Sequence, residues 1–112
     1  MIPTFAAALL LAAAPPAPPA HRCAADAIER ATPLLTLHFS DGQPTAIENL
    51  SIDDTVKVLP PLRALRGKGR FDVLEVWGFI YKGQYRMRFI YARIPGSCVL
   101  MGQEILEAAD PY

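Results

Sequence analysis

The chain has no hydrophobic run long enough to form a stable transmembrane anchor. A membrane-spanning helix needs about 20 mainly apolar residues, whereas the apolar run of residues 5–14 ends in a Pro/Ala tract. Its length is typical of the core of a secretory signal, about 7 to 15 residues. We therefore predict that residues 1–20 are a cleaved signal peptide. Cleavage after Ala14 and a retained apolar helix are the alternatives.

Residues 21–112 are then predicted to form a single small domain of a periplasmic or secreted protein, not membrane-spanning after cleavage. Lipid attachment at Cys23 is disfavoured because the charged Arg22 precedes it, where a lipobox requires a small or apolar residue.

Cysteine is also scarce, since Cys23 and Cys98 are the only two in the chain. They do not form a C-x-x-C motif, which argues against a redox-active pair. Two cysteines allow only one intramolecular disulfide, and an oxidising compartment would let it form. Closing so long a loop stabilises the fold by roughly 4 kcal/mol through the unfolded state. The sequence therefore predicts a structural Cys23–Cys98 disulfide.

Catalytic and metal-binding motifs are missing as well. The sequence contains no H-E-x-x-H motif, no Cys/His cluster and no D-x-D calcium loop. The two histidines, His21 and His38, are far apart and neither adjoins a candidate nucleophile. We therefore predict a non-enzymatic protein with no cofactor, no metal site and no catalytic residue. Asp72 and Arg93 are interpreted as a structural ion pair.

Hydrophobic periodicity predicts an N-terminal helix over residues 24–39, bent or broken near Pro33. A strand over residues 55–59 is predicted to stop at the Pro60-Pro61 pair, and a basic loop over residues 62–70 follows. The fold class is therefore α+β. In this fold the helix packs on an antiparallel sheet of about four strands, which ends in a C-terminal β-meander.

The meander is the clearest part of the pattern. Residues 71–81 and 85–94 are long and rich in aromatic and β-branched residues, and the Pro95-Gly96 turn leads into a third strand over residues 98–104. A two-residue turn at Lys82-Gly83 would pair Leu74 with Tyr91 and Trp77 with Arg88. Apolar side chains, with Cys98, Leu100 and Gly102, then face the helix. Phe79 would lie across from Arg86.

The other side of the meander, called here the outer face, is unusually aromatic and basic. We predict that it is the binding surface, because an exposed apolar patch of several hundred Å² usually marks an interaction site. The alternative is that residues 46–70 or the C-terminal tail cover it. The candidate binding residues are Trp77, Phe79, Tyr81, Arg86 and Arg88.

Charge is uneven although 11 basic and 11 acidic residues give a net charge of zero. Basic residues dominate from Lys57 to Gln103, which suits an unknown protein partner or an anionic envelope component. The leading hypothesis is a non-enzymatic interaction or inhibitor-like module that uses the aromatic and basic outer face. The alternative is a binder of a small or anionic envelope ligand held between the sheet and residues 62–70. A homodimer through the outer face is a third arrangement, and nucleic acid is not expected as a partner.

Overall fold

The computed structural model describes residues 20–40, 49–81 and 83–108. The predicted signal peptide, apart from Ala20, lies outside these ranges. Within the described residues, no helix combines the length and hydrophobicity needed to cross a bilayer. The elements along the chain are α1 (Ala24–Ser40), β1 (Ser51–Ile52), β2 (Lys57–Arg63), β3 (Arg70–Ile80), β4 (Gly83–Ala92) and β5 (Val99–Glu107).

Helix α1 continues through Pro33, which lies on its exposed side. Proline removes one backbone hydrogen bond, but the ring of Pro33 is exposed while the opposite face of the helix is packed. That opposite face buries Ala27, Ala31 and Leu35 completely. Of the two predicted alternatives, a break into separate helices does not occur.

The five strands form one antiparallel sheet in the order β1-β3-β4-β5, with β2 also paired to β3. Strands β1 and β2 occupy successive stretches of the same edge of β3, so the sheet is four strands wide. Helix α1 contacts β3, β1, β4 and β5 from one side, called here the inner face. The predicted α+β fold, one helix on an antiparallel sheet that ends in a meander, is confirmed.

The predicted pairing of β3 with β4 is wrong by two residues. Leu74 lies across from Phe89, Trp77 from Arg86 and Phe79 from Gln84. Ile80 pairs with Gly83, so the turn between the two strands comes one position earlier than predicted. Side chains alternate between faces with a period of two, so this shift leaves every side chain on its predicted face.

Strand β5 contains an irregularity that the sequence did not predict. Tyr91 pairs with Leu100, but Ile90 pairs with Gly102, which leaves Met101 as an extra residue. Such a bulge reverses the alternation beyond it. Gly102 therefore lies on the outer face beside Ile90, not on the inner face as predicted.

Strand β2 runs through Pro60 and Pro61 and does not stop before them. The pairing shifts between Leu59 and Leu62, so both prolines oppose a single residue of β3. Proline is compatible with a strand at a bulge or a sheet edge, where its missing N–H is not needed. The predicted basic loop is correspondingly shorter, over residues 64–69.

The hydrophobic core lies between α1 and the inner face. Leu74, Val76, Met87 and Phe89 are fully buried there, and Leu35 joins them from the helix. Cys23, just before α1, is bonded to Cys98, with 5.6 Å between their Cα atoms. The predicted disulfide is confirmed, and it ties the start of the helix to the end of the meander.

Candidate functional site

The five predicted binding residues all belong to the outer face or its rim. Strand β3 contributes Trp77 and Phe79, and β4 contributes Arg86 and Arg88, because odd positions of β3 pair with even positions of β4. Tyr81 follows β3 in the turn and is 74% exposed. The other four side chains are partly buried. The structure thus brings the candidates together along two neighbouring strands.

Arg88 is held by carboxylates, and its predicted pairing with Trp77 is wrong. Its Nε donates to Glu75 Oε2 at 3.3 Å, and a terminal nitrogen lies 3.6 Å from Glu104 Oε1. The reason is the register, which places Glu75 directly across from Arg88. An ion pair satisfies a partly buried guanidinium better than an aromatic ring does.

Glu75 is the residue of this face whose role the sequence reasoning missed. Only 5% of it is exposed, and its second oxygen accepts a 2.8 Å hydrogen bond from Trp77 Nε1. A buried carboxylate needs such partners to offset the loss of water. Its signal in the sequence was that Glu75 is the one acidic residue among the outer-face positions of β3, which are otherwise apolar or aromatic. Glu75 therefore orients both Trp77 and Arg88.

Arg86 differs from Arg88 in its partners. It lies directly across from Trp77, and its Nε is buried without a hydrogen-bond acceptor among the described residues. No carboxylate in those ranges forms an ion pair with it. The face therefore presents one neutralised guanidinium and one that lacks an acceptor within the described part of the chain.

No helix or strand of the described residues forms a second layer over the outer face, although Val73 and Glu75 are buried within it. Residues 57–63, part of the alternative cover over residues 46–70, form strand β2 beside β3. Apolar side chains remain accessible at both ends of β5, where Val99 and Leu106 are exposed. The C-terminal tail is the other predicted alternative for covering the outer face, and it is described only as far as Ala108.

A groove of about 310 Å³ lies beside these residues, toward β2. Its polar lining consists of Arg88 and Glu104, which already pair with each other. The remaining lining is apolar: Leu59, Pro60, Leu62, Val73 and Ile90. A small polar ligand would therefore find no unpaired group converging on it among the described residues.

The predicted Asp72–Arg93 ion pair is present at the disulfide end of the sheet, with 2.8 Å between Arg93 Nε and Asp72 Oδ1. His21 also bonds this carboxylate, at 3.1 Å. Since the backbone N–H of Cys23 donates to His21 Nδ1, the histidine carries its proton on Nε2. Burial favours a neutral carboxyl, but the hydrogen bonds from Arg93 and His21 outweigh it and lower the pKa of Asp72. This cluster anchors the residues before α1 to β3.

A second polar cluster links α1 to the meander. The hydroxyl of fully buried Tyr91 donates to Asp26 Oδ2 at 2.7 Å, and Arg30 Nε donates to the same oxygen. Burial would raise the pKa of Asp26, but the hydrogen bonds from Arg30 and Tyr91 hold it below its usual value. Burial and the bond to Asp26 raise the pKa of Tyr91. The cluster is structural, because each polar atom named has its partner within the fold.

Within residues 20–40, 49–81 and 83–108, no group of three or more His, Cys, Asp or Glu side chains is placed to hold a metal ion. His38, near the end of α1, packs edge to face on Tyr85 with 5.7 Å between ring centroids.

No protein-family model matches the chain, and neither the curated proteins nor the solved structures include a significant match.

Proposed function

We propose that this chain is exported and that its mature domain is a non-enzymatic binding module that docks a protein partner on the outer face. The contact would center on Trp77, Phe79 and Arg86, with Tyr81 at the rim. The single observation that carries the proposal is one-sided packing: α1 covers the inner face, while no other helix or strand of the described residues covers Trp77 and Phe79, which are only partly buried. Disulfide formation supports export, because such bonds persist in oxidising compartments.

The chemistry of the face favours a partner that carries a carboxylate. Arg88 is neutralised by Glu75 and Glu104, whereas Arg86 has no ion-pair partner in the described residues. A partner carboxylate beside Arg86 would supply the missing acceptor. Apolar side chains of the partner would cover Trp77 and Phe79. Aromatic and arginine residues often carry most of the affinity at protein interfaces.

A small anionic ligand in the groove toward β2 is the second candidate function. The groove provides the space, about 310 Å³. Its arginine, however, is already paired with two carboxylates, so an incoming anion would have to displace them. This cost favours the protein partner.

The test is site-specific crosslinking in the envelope of the source cells. A photoreactive phenylalanine analogue at Tyr81 reports on the outer face, and the same analogue at Leu37 is the matched control, because Leu37 is 58% exposed on the helix. We expect one discrete adduct from position 81, lost in the Arg86→Glu variant, and none from position 37. Equal adducts from both positions, or an adduct at 81 that persists with Arg86→Glu, would contradict the proposal.

A further inference from the structure

The β2–β3 hairpin has a strongly basic tip. Four cations lie within eight residues, and no acidic residue occurs from Lys57 to Phe71. All four are exposed: Arg63, Arg66, Lys68 and Arg70. A groove of about 340 Å³ opens among them, lined by Arg63, Gly67, Lys68 and Arg70. The tip is therefore a concentrated positive surface on a protein of zero net charge.

The fold places like charges together at the base of this tip. Arg63 is the direct cross-strand partner of Arg70, an arrangement that destabilises a sheet unless an anion is shared. Among the described residues, none of the four tip cations forms an ion pair. The cations are thus positioned for an anion that this part of the chain does not supply.

A leucine stands at the centre of the basic tip. Leu65 is fully exposed to solvent, between Arg63 and Arg66. The loop that carries it is closed by a 2.8 Å hydrogen bond from the Ala64 N–H to the Gly69 carbonyl, and Gly67 supplies the positive φ of 79° that the tight loop requires. The loop geometry therefore holds an apolar side chain outward among cations.

We propose that this tip docks the protein on the surface of an anionic phospholipid bilayer. The cations would lie at the level of the lipid phosphates and Leu65 below them, among the upper acyl chains. A free phosphate or a nucleic acid could bind the same cations but would make no contact with the exposed Leu65. Because the tip combines cations with an exposed leucine, a phospholipid is favoured as the source of the phosphate.

Membrane docking by the tip would leave the outer-face site accessible. Arg70 begins β3 and Trp77 follows seven residues later, which separates them by about 23 Å at about 3.3 Å per residue. The inference therefore does not rest on the proposed protein partner, and either one can fail without the other.

The experiment is sedimentation of the disulfide-bonded protein, without its predicted signal peptide, with vesicles of defined composition. We expect binding to vesicles of equal parts phosphatidylglycerol and phosphatidylcholine, and little binding to phosphatidylcholine alone. Lys68→Gln should weaken binding roughly five-fold. Leu65→Ser should weaken it roughly ten-fold, through the loss of apolar insertion. These side chains are exposed, and unchanged thermal unfolding would show that the variants remain folded.

Two matched controls keep the test specific. Lys57→Gln removes the same charge from the same hairpin, and Val58→Ser removes an exposed apolar side chain away from the tip. Lys57 is six residues from Arg63 along β2, about 20 Å, which exceeds the Debye length of about 10 Å. We expect less than about two-fold weakening from either control.

Three results would overturn the proposal. Equal binding to both kinds of vesicle would remove the role of anionic lipid. Equal effects of Lys57→Gln and Lys68→Gln would show attraction without a localised site. Full binding by Leu65→Ser, together with displacement by soluble glycerol phosphate, would instead identify a site for free anions.

Discussion

The inner and outer faces of the sheet are built from alternate residues of the same strands, but they differ in what covers them. On the inner face, Leu74, Val76 and Phe89 are fully buried beneath α1. On the outer face, Trp77 and Phe79 are only partly buried, and the polar network of Glu75 and Arg88 lies between apolar neighbours. The difference indicates that stability comes mainly from the inner face.

The largest effect should come from the inner face itself. Phe89→Ala removes a fully buried ring beneath α1, and we expect it to lower the free energy of unfolding by about 3–5 kcal/mol. The matched change on the outer face is Leu106→Ala, where the side chain is 52% exposed. We expect a loss below about 1 kcal/mol there. Urea unfolding measures both, and similar losses would mean that the two faces contribute equally.

Removal of the disulfide should lower the free energy of unfolding by nearly as much. Cys23→Ala combined with Cys98→Ala opens a loop of 75 residues, and we expect a loss of about 4 kcal/mol, since the unfolded chain regains conformational entropy. Guanidinium denaturation of the double variant against wild type measures it. A loss below about 1 kcal/mol would show that core packing alone holds α1 on the inner face.

Substitution of the two arginines of the outer face should change the stability of the fold by different amounts. Arg88→Gln leaves the buried carboxylate of Glu75 without its cation, and we expect a loss of about 2 kcal/mol. Arg86→Gln should change stability by less than about 0.5 kcal/mol, because Arg86 has no ion pair in the described residues and its Nε has no acceptor there. Thermal unfolding of both variants provides the comparison. Equal losses would contradict the distinction drawn between them.

The smallest expected effect is a pH dependence of stability. It arises from Asp26, which bonds the inner face, and from Asp72 at the disulfide end of the sheet. The pKa values of Asp26 and Asp72 are lower in the folded protein than the ordinary value of 3.8. Their ionised forms therefore stabilise the fold above about pH 3.8, and this contribution is lost as the pH falls through the lowered folded-state pKa values. We expect unfolding temperatures to drop in that acidic range, with a shallower drop in Asp26→Asn. An unchanged slope in that variant would contradict the assignment.

The sequence predicted the outer-face residues but not how they are connected. Alternation placed Trp77, Phe79, Arg86 and Arg88 on one side of the sheet, and they do lie there. It did not reveal that Glu75 neutralises Arg88, because that pair depends on the register. A shift of two residues preserves every face, so hydrophobic alternation cannot distinguish the two registers. The position of the turn decides between them.

Local patterning thus determined the helix, the meander strands, the sides on which the residues of β3 and β4 lie, and the single cysteine pairing available. Tertiary structure alone decided the register of β3 with β4, the passage of β2 through Pro60 and Pro61, and the bulge at Met101. The physical reason is that alternation and amphipathicity are properties of one segment. A register or a bulge is chosen by the combined packing and hydrogen bonding of neighbouring strands and the helix above them.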